Sequence, residues 1–78
     1  PTRALSYWLK GLPYQTTDIV NYDNKTHLPS SLMSDYAGKQ WHVRYDKYQL
    51  IKNINLATKF TIKENDLLIK IVINKWKI

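Results

Sequence analysis

The stretch KFTIKENDLLIKIVI, residues 59–73, decides the fold of this chain. Its two ends alternate polar and apolar side chains, which is the two-residue period of half-buried strands. The polar residues Glu64-Asn65-Asp66 separate the two ends and favour a turn. A turn centred on Asn65-Asp66 gives two apolar cross-strand pairs, which are Ile62 with Ile69 and Phe60 with Ile71. The stretch therefore predicts a C-terminal β-hairpin.

The same register divides the hairpin into an apolar face and a basic face. The polar side chains that share the second face are Lys59, Thr61, Lys63 and Lys70. A slip of one residue would place Phe60 opposite Lys70, so the pattern itself selects the pairing. We expect the isoleucines to pack inward and the lysines to face water.

The rest of the chain predicts an α+β fold that leans towards all-β. We expect a small antiparallel sheet of four or five strands, which could close partly into a barrel, with one or two short helices and the C-terminal hairpin. Strands are predicted around 16–23 and 41–45, and a short helix from Ser30 or Ser31 to a closing Gly38. Residues 2–12 fit a helix or a strand, and we favour the strand. Residues 47–57 fit either a second strand after a turn or a short helix.

Length and composition set the class of protein. With 78 residues, the chain is expected to form one domain over 1–78 with a thin core. There is no cysteine, so neither disulfides nor thiolate metal sites can contribute. No apolar run approaches the roughly 20 residues of a membrane span, and the first residues do not resemble a signal peptide. These features together predict a cytoplasmic protein without a membrane span.

The positive charge is concentrated in the second half of the chain. The formal net charge is +6, and charges of opposite sign cancel over residues 1–38. A basic half favours an anionic partner. An AT-rich coding bias would also raise the lysine content, and arginine, the better residue for bidentate phosphate recognition, is scarce.

The preferred interpretation is a small, basic, non-enzymatic binding module that contacts nucleic acid, either DNA or RNA. Aromatic residues interleaved with basic ones suit single strands, because bases stack while phosphates meet cations. The predicted nucleic-acid-binding residues are Lys59, Lys63, Lys70, Lys75, Lys77, Arg44, Tyr45 and Trp76. Tyr45, Tyr48 and Trp76 are expected as surface contacts, and Trp8, Trp41 and Phe60 in the core.

Two alternatives remain open. One is a phage- or plasmid-type protein-interaction factor, an inhibitor or accessory subunit, that binds a protein through an aromatic patch or an open sheet edge. The other is a metal-free ribonuclease toxin. Its candidate cluster is His42, Arg44, Asp46, Lys47 and Tyr48. An oligomer is neither required nor excluded.

We do not predict an enzyme as the first choice, and we assign no catalytic residue. The chain lacks a cysteine nucleophile and a Gly-x-Ser-x-Gly motif. His27 and His42 have no further ligand at metal-binding spacing. We therefore predict no metal site and no cofactor.

Overall fold

The structure, a computed structural model, describes residues 2–77 as one short helix followed by five strands. The elements are α1 (Thr2–Trp8), β1 (Ile19–Tyr22), β2 (Pro29–Tyr36), β3 (Lys39–Ile51), β4 (Ile54–Glu64) and β5 (Leu67–Val72). Each strand pairs antiparallel with the next, in the order β1-β2-β3-β4-β5. Within residues 2–77 no pairing joins β1 to β5, so the sheet is open and not a barrel. The predicted fold class is confirmed.

The C-terminal hairpin has the register that the sequence predicts. Ile62 lies opposite Ile69, and Phe60 lies opposite Ile71. The turn falls at Asn65-Asp66, and Asn65 adopts a positive φ of 52°, which asparagine tolerates better than most residues. Alternation therefore divides the sheet into an inner face, which carries Phe60 and Ile62, and an outer face, which carries the lysines.

Two other hairpins explain where the sequence interpretation was wrong. Ala37 and Gly38 have φ of 54° and 74°, and Lys52 and Asn53 have φ of 49° and 67°. Positive φ at both central residues is the signature of the two-residue type I′ turn that joins antiparallel strands. Gly38 thus belongs to a hairpin turn and does not end a helix. The helix predicted over residues 30–38 is wrong, and this segment is β2 and its turn.

The two ambiguous segments also have definite structures. Residues 47–57 continue β3, turn at Lys52-Asn53 and begin β4, so the strand alternative is correct there. The strand favoured over residues 2–12 is wrong, because the chain forms α1 instead. Ala4 and Trp8 lie one helical turn apart and are both fully buried, which is the helical spacing that the sequence left open.

The core lies between α1 and the inner face. Its largest fully buried side chains are Trp8, Phe60, Leu32 and Val43. The Trp8 ring packs against Tyr36 and Trp41 at centroid distances of 6.0 and 5.8 Å. The expected burial of Trp8 and Phe60 is confirmed, and Trp41 is half-buried against the same cluster.

The Asp18 carboxylate fixes the position of α1 relative to the sheet. Its Oδ2 atom accepts hydrogen bonds from Trp8 Nε1 at 3.1 Å and from the backbone N–H groups of Tyr14 and Gln15 at 2.8 and 3.0 Å. Its Oδ1 atom accepts one from the Ser34 hydroxyl of β2 at 2.5 Å. Burial opposes ionisation of Asp18, but these hydrogen bonds outweigh burial and lower its pKa below 3.8. One carboxylate thus joins the helix, the linker and the sheet.

The helix content is small. Helix α1 has seven residues. The described part of the chain contains no helix that is long and apolar enough to cross a membrane.

The two faces of the hairpin predict unequal costs for truncating similar side chains. Ile62 is 2% exposed on the inner face, whereas Leu68, on the outer face opposite Lys63, is 53% exposed. Ile62→Ala should lower the free energy of unfolding by about 2–5 kcal/mol, because it leaves a cavity in the core. Leu68→Ala should change it by less than about 0.5 kcal/mol. Urea unfolding followed by tryptophan fluorescence measures both, and equal losses would contradict the two-faced hairpin.

The low pKa of Asp18 predicts a loss of stability in acid. A carboxyl whose pKa is lower in the folded than in the unfolded state stabilises the fold above its unfolded pKa, and this contribution disappears as pH falls through the folded pKa. As the pH drops below about 4, the free energy of unfolding should therefore decrease. Asp23 and Asp46, whose pKa values are also lowered, contribute in the same direction.

Asp18→Asn isolates the share that belongs to this residue. At neutral pH it should cost about 1–3 kcal/mol, since hydrogen bonds to a charged acceptor are lost. The difference from the unsubstituted chain should shrink in acid, where Asp18 itself is protonated. Asp35→Asn, at an exposed carboxylate on β2, is the matched control. A deficit of the same size at neutral and acid pH would show that the charge of Asp18 is not what matters.

Candidate functional site

The lysines predicted to share a face do so. Lys59 and Lys63 occupy alternate outer positions of β4, and Lys70 lies on β5 opposite Thr61. All three lysines are exposed. Among residues 2–77, none of them lies within 4.0 Å of a carboxylate oxygen. The outer face of this hairpin therefore presents unpaired positive charge to its surroundings.

Arg44 lies on the same face, but its charge is balanced locally. Its Nε atom donates to Asp46 Oδ1 at 2.6 Å, and its Nη2 atom donates to the Thr61 hydroxyl at 3.3 Å. Thr61 in turn donates to Asp46 Oδ2 at 2.6 Å. Burial opposes ionisation of Asp46, but the hydrogen bonds from Thr61 and Arg44, followed by the positive charges of Arg44 and Lys70, lower its pKa. This closed network leaves Arg44 less available than the lysines to an external anion.

The aromatic residues predicted as surface contacts are engaged within the fold. Tyr45 is only 7% exposed, and its hydroxyl donates to the backbone oxygen of Trp8 at 2.5 Å. Burial raises the pKa of Tyr45, and electrostatic interactions with Tyr48 and Tyr22 raise it further. Its predicted surface role is wrong, because residue 45 has the parity of the inner face.

Tyr48 and Trp76 are half-buried and hydrogen-bonded. Tyr48 donates to the backbone oxygen of Pro29 at 2.7 Å. Burial and, to a smaller extent, the electrostatic interaction with Tyr22 raise the pKa of Tyr48 to about 12. Trp76 donates from Nε1 to the backbone oxygen of Ala57 at 2.8 Å, which packs the C-terminal segment against β4. Both side chains are therefore anchored within the fold through their polar atoms.

The remaining predicted residues do not assemble into one site. Lys75 and Lys77 are exposed but follow the end of β5 at Val72. His42 lies on the outer face opposite Lys63, whereas Tyr48 bonds to Pro29, so the cluster of the ribonuclease hypothesis is divided. In the part of the chain that the structure describes, no three His, Cys, Asp or Glu side chains are grouped as metal ligands.

Sequence reasoning missed an apolar rim on the inner face, formed by Leu67 and Ile69 of β5. These residues are 49% and 38% exposed, although they share the face on which Ile71 packs against the core. Helix α1 lies over β2 and β3, where Trp8 meets Tyr36 and Trp41, and leaves this edge open. The alternation placed Leu67 and Ile69 on the correct face, but it carried no signal of how far the cover extends.

A second apolar surface lies at the end of the β3–β4 hairpin. Leu50 and Ile54 flank the Lys52-Asn53 turn and are 66% and 46% exposed. They belonged to the segment whose structure the sequence left undecided, so their exposure was not predicted.

Comparison with known proteins identifies the family. The family model described as outer membrane lipoprotein LolB matches residues 1–76. Proteins named outer-membrane lipoprotein LolB are 32% identical in Psychromonas ingrahamii over 76 residues and in Vibrio cholerae over 81 residues, each covering 97% of this chain. The protein of the same name in Coxiella burnetii strain RSA 493 is 27% identical over 77 residues and covers 99% of the chain.

These matches correct the function and location predicted from composition. A cytoplasmic nucleic-acid-binding module is wrong, because the matching family and relatives are outer-membrane lipoproteins. The predicted function was wrong because lysine content indicates attraction to anions but does not identify the anion. The predicted location was wrong because a sheet with a packed core can be stable without disulfides in any compartment, so the lack of cysteine does not indicate the cytoplasm. The ribonuclease toxin and the phage- or plasmid-type factor are overturned as well. A nucleic acid partner has no support in these matches.

The match covers nearly all of this chain but only part of each relative. The chain spans about a third of the length of the curated relatives it matches, from 34% in Coxiella to 38% in Vibrio. Since the family model accounts for residues 1–76 of 78, this chain belongs to the outer membrane lipoprotein LolB family.

Proposed function

We propose that this chain acts at the outer membrane in lipoprotein trafficking, and that the inner face of its sheet receives the lipid-bearing part of a partner lipoprotein. The family match over residues 1–76 is the observation that carries the location and the process. The contact surface is argued from the apolar rim.

The rim has the chemistry that an acyl group requires. Leu67 and Ile69 lie side by side on one face of β5, and both offer apolar side chains to a partner. Burying such a side chain contributes about 1.5–3 kcal/mol, without any need for directional polar contacts. An acyl chain supplies apolar surface of this kind and asks for no hydrogen bonds in return.

The rim continues directly into the core. Ile71 and Ile73 pack against the buried cluster, and Ile69 lies opposite the buried Ile62. An apolar ligand on the rim would therefore extend an existing apolar layer and would not rest on isolated surface residues. The helix bounds the other side of this layer, because Trp8 is held over β2 and β3 by Asp18.

Adjacent leucines provide a matched test of this contact. Leu67 and Leu68 are 49% and 53% exposed, but they point to opposite faces of β5. The probe is a synthetic diacylated lipopeptide, and its binding to this chain is measured by titration. Leu67→Ser should weaken binding about tenfold, since it removes one apolar contact. Leu68→Ser should leave binding unchanged.

The unacylated form of the same peptide separates lipid recognition from peptide recognition. Equal losses in the two variants, or equal binding of the acylated and unacylated peptides, would contradict the proposed inner-face contact. Far-ultraviolet circular dichroism of each variant checks that the sheet remains folded.

A further inference from the structure

The β3–β4 hairpin extends past both of its neighbouring strands. Pairing of β2 with β3 begins at Ser31 opposite Arg44, and pairing of β4 with β5 ends at Lys59 opposite Val72. Residues 48–57 therefore form a two-stranded ribbon, paired from Tyr48 opposite Ala57 to Ile51 opposite Ile54. Tyr48 and Ala57 at its base still contact Pro29 and Trp76, but the part of the ribbon beyond them has no flanking strand among residues 2–77.

The end of this ribbon is apolar on both of its faces. Leu50 lies opposite Asn55, and Ile54 lies opposite Ile51, so Leu50 and Ile54 alternate to different sides. At 66%, Leu50 is the most exposed large hydrophobic residue of residues 2–77. A surface ribbon in water usually has at least one polar face, so this pattern favours an apolar environment around the end of the ribbon.

The base of the ribbon is cationic and lacks nearby free carboxylates. Lys47 and Lys59 lie directly opposite one another and are both exposed. Like charges in this position destabilise a sheet unless something neutralises them. The nearest acid in the chain, Asp46, is occupied by Arg44 and Thr61, and no acid occurs between Lys47 and Lys63. An external anion would remove this repulsion.

The spacing between the cations and the apolar end matches the interface of a lipid bilayer. At about 3.3 Å per residue, Lys47 lies roughly 10 Å from Leu50 along the strand. Apolar side chains of interfacial proteins penetrate about 5–10 Å, which leaves cations behind them at the level of the lipid phosphates. Lys52, at the turn, has a side chain long enough to extend back towards those phosphates.

We infer that the end of the β3–β4 hairpin docks onto the surface of an anionic phospholipid bilayer, with Leu50 and Ile54 among the acyl chains and Lys47 and Lys59 at the phosphates. This contact goes beyond the partner binding proposed above and uses a different surface of the sheet. The membrane contact can therefore be disproved while the inner-face contact is confirmed, and the inner-face contact can be disproved while the membrane contact is confirmed.

Vesicle flotation tests the inference with matched variants. The chain is mixed with vesicles of phosphatidylcholine, with or without phosphatidylglycerol. The chain should float with the anionic vesicles, and added salt should weaken this binding. The double variant Leu50→Ser with Ile54→Ser should lower the partition coefficient about tenfold or more. Leu68→Ser with Met33→Ser removes two comparably exposed residues from the outer face of the sheet, away from the hairpin end, and should leave the partition coefficient unchanged.

A charge pair completes the design. Lys47→Gln with Lys59→Gln should weaken binding to anionic vesicles, whereas Lys10→Gln with Lys25→Gln, which removes the same charge elsewhere, should have a smaller effect. The inference is overturned if the chain does not float with anionic vesicles or if it floats equally with neutral ones. It is also overturned if either control variant binds the vesicles as weakly as the variant it is matched to.

A fluorescent label gives a readout that does not depend on disrupting the hairpin. The chain has no cysteine, so Leu50→Cys and Leu68→Cys each provide one thiol for a polarity-sensitive dye. The dye at residue 50 should shift to the blue with anionic vesicles, and the dye at residue 68 should not. Equal shifts at the two positions would contradict insertion through the end of the hairpin.

Discussion

The arrangement of this molecule depends on one carboxylate, Asp18. A seven-residue helix is too short to be stable by itself, so α1 exists because its apolar residues are buried against the sheet. Burying Trp8 also buries its indole N–H, which needs an acceptor. Asp18 supplies that acceptor. The other oxygen of the same carboxylate accepts a hydrogen bond from Ser34 of β2. Hydrogen bonding and apolar burial therefore fix the helix together.

The position of the helix determines which surfaces remain available. Because α1 is held over β2 and β3, the inner face is covered there and open along β5, where Leu67 and Ile69 form the rim. The outer face carries the lysines, and the β3–β4 hairpin extends beyond the sheet. One chain thus presents an apolar edge, a basic face and an apolar end at three separate places, and each surface suits a different kind of contact.

The C-terminal hairpin was predictable because its two faces differ so much in polarity. A slip of one residue would place Phe60 opposite Lys70, and the structure keeps the predicted register, with Phe60 opposite Ile71. The first helix was not predictable, because Leu5, Trp8 and Leu9 fit two periods and the burial of Trp8 depends on Asp18, ten residues later. Gly38 misled for a related reason, since positive φ serves both helix ends and hairpin turns.

The candidate sites were less predictable than the fold. Lys59, Lys63 and Lys70 lie on the predicted face, but their charge does not distinguish a nucleic acid from another anion, and the function inferred from them was wrong. Tyr45 was assigned to the surface although its parity is that of the buried Val43. The rim and the apolar hairpin end depend on which residues lack a neighbour, which is a property of the whole packing and not of local sequence.

Nuclear magnetic resonance of the Trp8 indole tests the central claim, that Asp18 holds α1 over the inner face. The account predicts Overhauser contacts from the Trp8 ring to Tyr36 and Trp41. It also predicts that the Trp8 Nε1 proton resonance moves as pH falls through a carboxyl pKa below 3.8. A folded chain without those contacts, or with an indole resonance that ignores the ionisation of Asp18, would contradict it.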